Sequence, residues 1–180
     1  EIPRGLYDKL IDKIQEADIS YEINDERQAG RPINVTFKGQ LREEQKPALA
    51  EMIKYDNGIL HAATAFGKTV LCAALIGEKK VNTLIVLESS ALLDQWKEAL
   101  REFLDIDEEF PEYKTKTGRV RVRKSLIGKL QGAHDSMTGI IDIAMAGSLR
   151  KKGEWHPLLE QYGMVIVDDY GIIGLSQKAV

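Results

Sequence analysis

One cysteine, Cys72, is all the thiol this chain of 180 residues carries. That excludes a disulfide framework and a multi-cysteine zinc site. The three histidines, His61, His134 and His156, are scattered with no metal-ligand spacing, so they build no zinc site either. No apolar run approaches the ~18 residues of a membrane span and no signal peptide opens the chain, so a cytoplasmic protein with no membrane partner is expected. Positive charge is not in excess: 28 acids stand against 25 bases, a net charge of −3. A bulk polycation is thereby excluded, and any nucleic-acid contact must be a local patch. No internal repeat or low-complexity segment is visible.

What is present reads as a soluble globular protein, with 43% apolar and 29% charged residues. At roughly 100–200 residues per domain the length fits one domain and a small appendage. The appendage is read over residues 1–39. Leu6, Leu10, Ile11 and Ile14 recur at helical spacing behind Pro3. Ile19, Tyr21 and Ile23 then alternate with polar residues, as do Ile33, Val35 and Phe37 beyond a turn at Arg27–Pro32. A helix followed by a β-hairpin is expected, joined to the rest at Lys38-Gly39-Gln40.

Residues 40–180 alternate helical and strand patterns. Helices are expected at Arg42–Tyr55, Lys68–Glu78 and Ala91–Phe103, with a short one near Pro157–Gln161. Strands are expected at Gly58–Ala62, Thr83–Leu87, Ile140–Met145 and Met164–Val167. Strands spaced by helices give an α/β fold with a mostly parallel sheet and helices on both faces. The stretch from Asp105 to Gly139 is less regular. Five acids fall within Asp105–Glu112, and seven Lys or Arg with no acid follow within Lys114–Lys129. Arg119, Arg121 and Arg123 alternate with Val120 and Val122, which puts three arginines on one face of a strand.

The strongest chemical signal is Ala62-Ala63-Thr64-Ala65-Phe66-Gly67-Lys68-Thr69, which follows a strand and opens a helix. This is the context of a phosphate-binding P-loop. Backbone N–H groups of Ala65, Phe66 and Gly67 and the positive helix end would face phosphate oxygens. Lys68 would reach the β- and γ-phosphates of ATP, and the Thr69 hydroxyl would ligate Mg²⁺. The second signal is Val165-Ile166-Val167-Asp168-Asp169, an apolar strand ending in carboxylates, with Asp168 as the metal-associated acid.

These residues resemble superfamily 2 helicases of the DEAD/DEAH-box, type III restriction subunit-like group. Leu41-Arg42-Glu43-Glu44-Gln45 is similar to their Q motif and Ala62–Thr69 to motif I. Thr83–Leu87 with Leu92-Leu93-Asp94-Gln95-Trp96 is similar to motif Ia, Asp142–Met145 with Ser148-Leu149 to the strand and turn before motif II, and Val165–Asp169 to motif II itself. The resemblance implies a RecA-like first motor lobe that binds ATP and Mg²⁺ and, in the full-length protein, touches nucleic acid, with DNA favoured over RNA as the partner. It implies that Gln45 reads adenine, that Lys68, Thr69 and Asp168 serve phosphates and metal, and that the residue after Asp168 orients the attacking water.

Several positions depart from the family pattern. Asp169 stands where Glu is expected, Tyr170-Gly171 follows, Glu88-Ser89-Ser90 replaces a cationic segment, and Ala146-Gly147 precedes Ser148. A carboxylate one methylene shorter would misplace the attacking water and slow hydrolysis. The second lobe, with arginine fingers worth about 10³–10⁵ in rate, is expected to be missing from a chain of this length that opens on Glu1. The isolated lobe is then expected to hydrolyse ATP poorly. A silent nucleotide- or nucleic-acid-binding homologue and another P-loop enzyme are the alternatives. The arginine strand reads as a backbone-binding ribbon or as a solvated hairpin balancing the acidic run; the net negative charge and the lack of an aromatic ladder favour the hairpin. Cys72 and Trp96 read as core packing.

Overall fold

The computed structural model describes residues 6–24, 29–115, 117–151, 154–168 and 172–175. In chain order its elements are α1 (Tyr7–Glu16), β1 (Val35–Phe37), α2 (Gln45–Lys54), β2 (Asn57–Ile59), α3 (Lys68–Lys79), β3 (Thr83–Leu87), α4 (Ala91–Phe103), β4 (Leu104–Ile106), β5 (Glu112–Lys114), β6 (Val120–Val122), β7 (Ile127–Gln131), β8 (His134–Asp135), β9 (Ile141–Met145), β10 (Arg150–Lys151), β11 (Glu154–Trp155), β12 (Met164–Val167) and β13 (Ile172–Leu175). Short 3-10 turns stand at Ala146–Ser148 and Pro157–Gln161.

Seven strands form the central sheet in the order β2-β13-β12-β3-β9-β7-β8. β12, β3, β9 and β7 run parallel to one another, whereas β13 lies antiparallel to both β12 and β2, and β8 antiparallel to β7. The β-branched and Leu-rich runs of β3 and β9 belong at this centre because both of their faces are covered. On one face Ile85, Leu87, Ile141, Ile143, Met164 and Ile166 pack with α3 and α4 into the main core. On the other, Leu84, Val86, Ala144, Leu130 and Tyr162 form a smaller core, with Leu158 and Leu159 of the 3-10 turn laid over it. This is the α/β fold with a mostly parallel sheet read from the sequence, the second face carrying, among the described residues, only a short 3-10 helix.

Two polar side chains tie the sheet together. The buried Asn82 amide oxygen accepts from Arg31 N (2.8 Å) and Gly163 N (3.0 Å), and its nitrogen donates to Gln161 O (2.7 Å) and Gly139 O (3.3 Å). Gly30, at φ 72°, and Gly163 meet here so closely that a Cβ on Gly30 would lie 2.3 Å from Gly163 Cα. The buried Asp142 carboxylate accepts from Tyr162 OH (2.6 Å), Gly139 N (2.6 Å), Thr138 N (2.9 Å) and Thr138 Oγ1 (3.0 Å). Burial pushes its pKa up, against these donors, and the same burial with Asp142 beside it pushes the Tyr162 phenol up.

The N-terminal hairpin does not form among the described residues. β1 pairs antiparallel with β4, Val35 opposite Ile106 and Phe37 opposite Leu104, while residues 19–24 make no strand. The reason is burial: Ile33 and Val35 join the main core, with β1 against α3, where Gly77 lets the Phe37 backbone approach; a Cβ there would lie 2.9 Å from Phe37 N. An isolated two-stranded hairpin gains far less. The turn expected at Arg27–Pro32 falls partly on 25–28, outside the described residues. β7, a fourth parallel strand, was not legible: Gly128 and Lys129 interrupt its apolar run. Gly128 is required because Asp142 Oδ1 would lie 2.2 Å from any Cβ there.

Candidate functional site

β2 ends at Ile59, shorter than the strand expected over Gly58–Ala62, and residues 60–67 lead into α3. The loop turns on two positive φ angles, 66° at Ala65 and 84° at Gly67. Gly67 is needed twice over. It takes a left-handed conformation that other residues enter at a cost, and a Cβ on it would sit 2.6 Å from Gln45 Nε2. No side chain caps the N-terminus of α3, so the positive end of a 12-residue helix is left open at the loop.

The loop is held from behind by the start of α2. Gln45 is 2% exposed; its Nε2 donates to Phe66 O (2.7 Å) and its Oε1 accepts from Arg42 N (2.9 Å). Arg42 Nη2 donates to Ala65 O (3.2 Å) and to Phe66 O. Because the peptide unit is planar and trans, turning the Phe66 carbonyl toward Gln45 turns the Gly67 N–H away from it. Lys68 Nζ donates to Ala62 O (3.0 Å) and Ala63 O (3.5 Å). Its ammonium therefore rests on the loop's own carbonyl oxygens, which an anion at the loop could replace. Gln45 and Arg42 thus hold the Ala65 and Phe66 carbonyls, Gly67 lies against the Gln45 amide, Lys68 bonds Ala62 and Ala63, and Thr69 follows as the second residue of α3.

Asp168 closes β12. Its N–H donates to Val86 O (3.0 Å), and its Oδ2 accepts from the Trp96 indole Nε1–H at 2.6 Å. Burial, with the Asp168 charge adding to it, pushes the Cys72 thiol up to about 12. Cys72 lies one turn beyond Lys68 on α3, and Thr69, three residues before it, shares its side of the helix. Asp168 thus lies within electrostatic reach of the helix that begins at the loop. Asp169, with Tyr170 and Gly171, lies outside the described residues.

Arg119, Arg121 and Arg123 are placed elsewhere. β5 and β6 form a separate two-stranded ribbon, Tyr113 opposite Arg121, and the Arg123 guanidinium stands 4.2 Å over the Tyr113 ring. Arg123 Nη1 also reaches Asp135 O (3.4 Å), beside β8 at the sheet edge farthest from β2. Three participants carried no role in the sequence reading: Arg42, Tyr113 and Trp96 as the partner of Asp168. Arg42 was visible within the Q-motif-like segment; the other two depend on strand register and helix packing. Among the described residues no group of His, Cys, Asp and Glu could hold a metal ion as an all-protein cluster. No helix among them is long and apolar enough to cross a membrane.

Residues 38–170 match the family described as "Type III restriction enzyme, res subunit". The chain belongs to this family. The match runs from the β1–α2 joint through β12 and so contains the loop, Trp96 and Asp168. Among relatives of the res subunit lobe, "DNA 3'-5' translocase XPB2" of Sulfurisphaera tokodaii is 37% identical over 70 residues, 39% of this chain and 16% of that protein. "Putative helicase 161L" of Invertebrate iridescent virus 6 is 34% identical over 77 residues, 41% of this chain and 17% of that protein. The chain therefore matches about a sixth of the length of these relatives. With the family and both relatives in agreement, this res subunit-type lobe is an ATP-binding lobe of the superfamily 2 helicase kind.

Proposed function

We propose that the lobe binds ATP with Mg²⁺ at the 62–69 loop and, in a full-length motor that supplies a second lobe, couples hydrolysis to unwinding or translocation on nucleic acid, DNA in preference to RNA. One observation carries the reading: an uncapped helix N-terminus behind a loop whose carbonyls are drawn back by Arg42 and Gln45, with Lys68 laid across the loop. The open amides and the ammonium offer what a triphosphate tail needs. A buried Gln45 already bonded to the loop would sense adenine and loop shape together.

The donor set for the metal is oxygen only, the Thr69 hydroxyl and the Asp168 carboxylate, which suits a hard divalent cation such as Mg²⁺ that keeps much of its water. Bound there, Mg²⁺ would neutralise charge on the β- and γ-phosphates. Lys68 would take up γ-phosphate charge, and Asp169 would orient water in the place where the family has Glu. The lobe proper is residues 40–180, with residues 1–39 an appendage strapped to it through Ile33 and Val35. The DNA preference is supported by the name of the archaeal translocase, and the Arg119, Arg121 and Arg123 face with Tyr113 supplies a basic patch for the phosphate backbone.

Calorimetry with ATP and Mg²⁺ tests the reading. Binding is expected in the wild-type chain and a loss of tenfold or more in affinity in Lys68→Ala, an interaction with charged phosphate being worth roughly 1.5–3 kcal/mol. No heat of binding, or equal affinity in the variant, overturns it.

A further inference from the structure

Trp96 is the largest side chain in the main core and is 2% exposed. An indole so placed has one polar atom, and leaving that N–H unpaired in the interior is costly. A backbone carbonyl would satisfy it. Here its partner is Asp168 Oδ2, the carboxylate at the end of the motif II strand, at 2.6 Å. The bond is a short one from an indole N–H to a carboxylate oxygen.

The second anchor of Asp168 lies in the same supersecondary unit. Its backbone N–H donates to Val86 O in β3, and the indole comes from α4, the helix that follows β3 across Glu88-Ser89-Ser90. Main chain and side chain of Asp168 are therefore both referenced to the β3–α4 unit. With Oδ2 engaged by the indole, Oδ1 is the oxygen left to face a cation or the water around it. Metal-ligating carboxylates are oriented by outer partners in this way, and loss of such a partner weakens the metal about 10–100-fold.

We propose that Trp96 is a positioning residue for the metal side of the nucleotide site: its indole N–H fixes the Asp168 carboxylate, and through it the placement of α4 sets the affinity for Mg²⁺. The inference rests on the proposed ATP and Mg²⁺ site and goes beyond it. A role confined to packing would affect stability and leave the metal requirement unchanged, so Trp96→Phe, which keeps an aromatic ring and removes the donor, separates the two.

The test is a Mg²⁺ titration of the 180-residue chain with the fluorescent probe mant-ATP. In Trp96→Phe the Mg²⁺ concentration at half-maximal response is expected to rise about 10–100-fold, while mant-ATP affinity in EDTA stays within about twofold. A folded Trp96→Phe with an unchanged Mg²⁺ midpoint overturns the proposal. Should the variant not fold, the wild-type indole ¹H–¹⁵N resonances decide. The Trp96 signal is expected to shift when Mg²⁺ is added to the nucleotide-saturated chain, with exposed Trp155 as the internal control; a Trp96 signal that stays put overturns the proposal. A wild-type chain that takes up mant-ATP under neither condition overturns the proposed function, and this inference falls with it. Binding with no effect at Trp96 removes the inference alone.

Discussion

At the scale of single residues, Asp142 shows how burial and hydrogen bonding oppose each other in one carboxyl group. It accepts from four donor groups in the sheet interior, yet burial outweighs them and holds its pKa above the ordinary carboxylate value. Between the unfolded pKa and that raised value, the folded protein keeps a proton that the unfolded chain has released. Stability therefore falls as pH rises through this window and levels off above it. Urea unfolding at a series of pH values is expected to show that slope in the wild type and to lose it in Asp142→Asn. The variant should also be less stable by about 1–3 kcal/mol, because its amide NH₂ would face the Gly139 and Thr138 donors. Equal slopes in the two proteins would contradict the assignment. The residues proposed to act on phosphate, Gly67-Lys68-Thr69 after a strand, are singled out by spacing alone. Gln45 was legible as a polar residue with a role. Its burial and its bond to Phe66 O were not, because they depend on where α2 begins relative to a loop 21 residues further on.

At the scale of elements, long amphipathic or uniformly apolar segments were readable and short mixed ones were not. α3, β3 and α4 carry enough apolar residues in one period to declare themselves. β7 does not, because its neighbours ask for a glycine beside Asp142 and leave Lys129 half-buried. The 19–23 and 33–37 segments show the same alternation, and only the second finds a core to bury against. The β5–β6 ribbon is the element where pattern and structure together say most. Its alternation predicted an arginine face, and the register adds the aromatic that the linear sequence hid, Tyr113. If this face holds nucleic acid, replacing Arg119, Arg121 and Arg123 by Ala should lower the slope of log K against log salt for a single-stranded oligonucleotide by about 2, three phosphate contacts at about 0.7 each. Fluorescence anisotropy at several salt concentrations measures it, and an unchanged slope would return the ribbon to the solvated-hairpin reading.

At the scale of the whole molecule, strand order sets the distance between the two proposed activities. The loop strand β2 is one edge of a seven-stranded sheet and β8, beside the ribbon, is the other. Asp168 at the end of β12 brings the proposed nucleotide site to within four strand spacings of β8, about 19 Å at about 4.8 Å each. Coupling between the two would pass through the sheet and the helices on it. Strand order of this kind is not written in local periodicity. Helix–strand alternation announces a parallel sheet, but which strands flank β12 follows from long-range pairing, including a β13 that inserts antiparallel beside it. The Asn82 junction has a consequence of its own. The Arg31 and Gly163 amide protons share one acceptor oxygen although they belong to distant parts of the chain. The Gly163 N–H is also held by the main-chain carbonyl of Asn82 (3.1 Å), so by mass spectrometry or NMR Asn82→Ala should speed isotope exchange at Arg31 more than at Gly163, and equal acceleration of the two would contradict this division. Residue 82 would then act as a clasp with two tongues, its side chain gripping the entry of the chain into the lobe and its main chain still gripping the run-up to motif II.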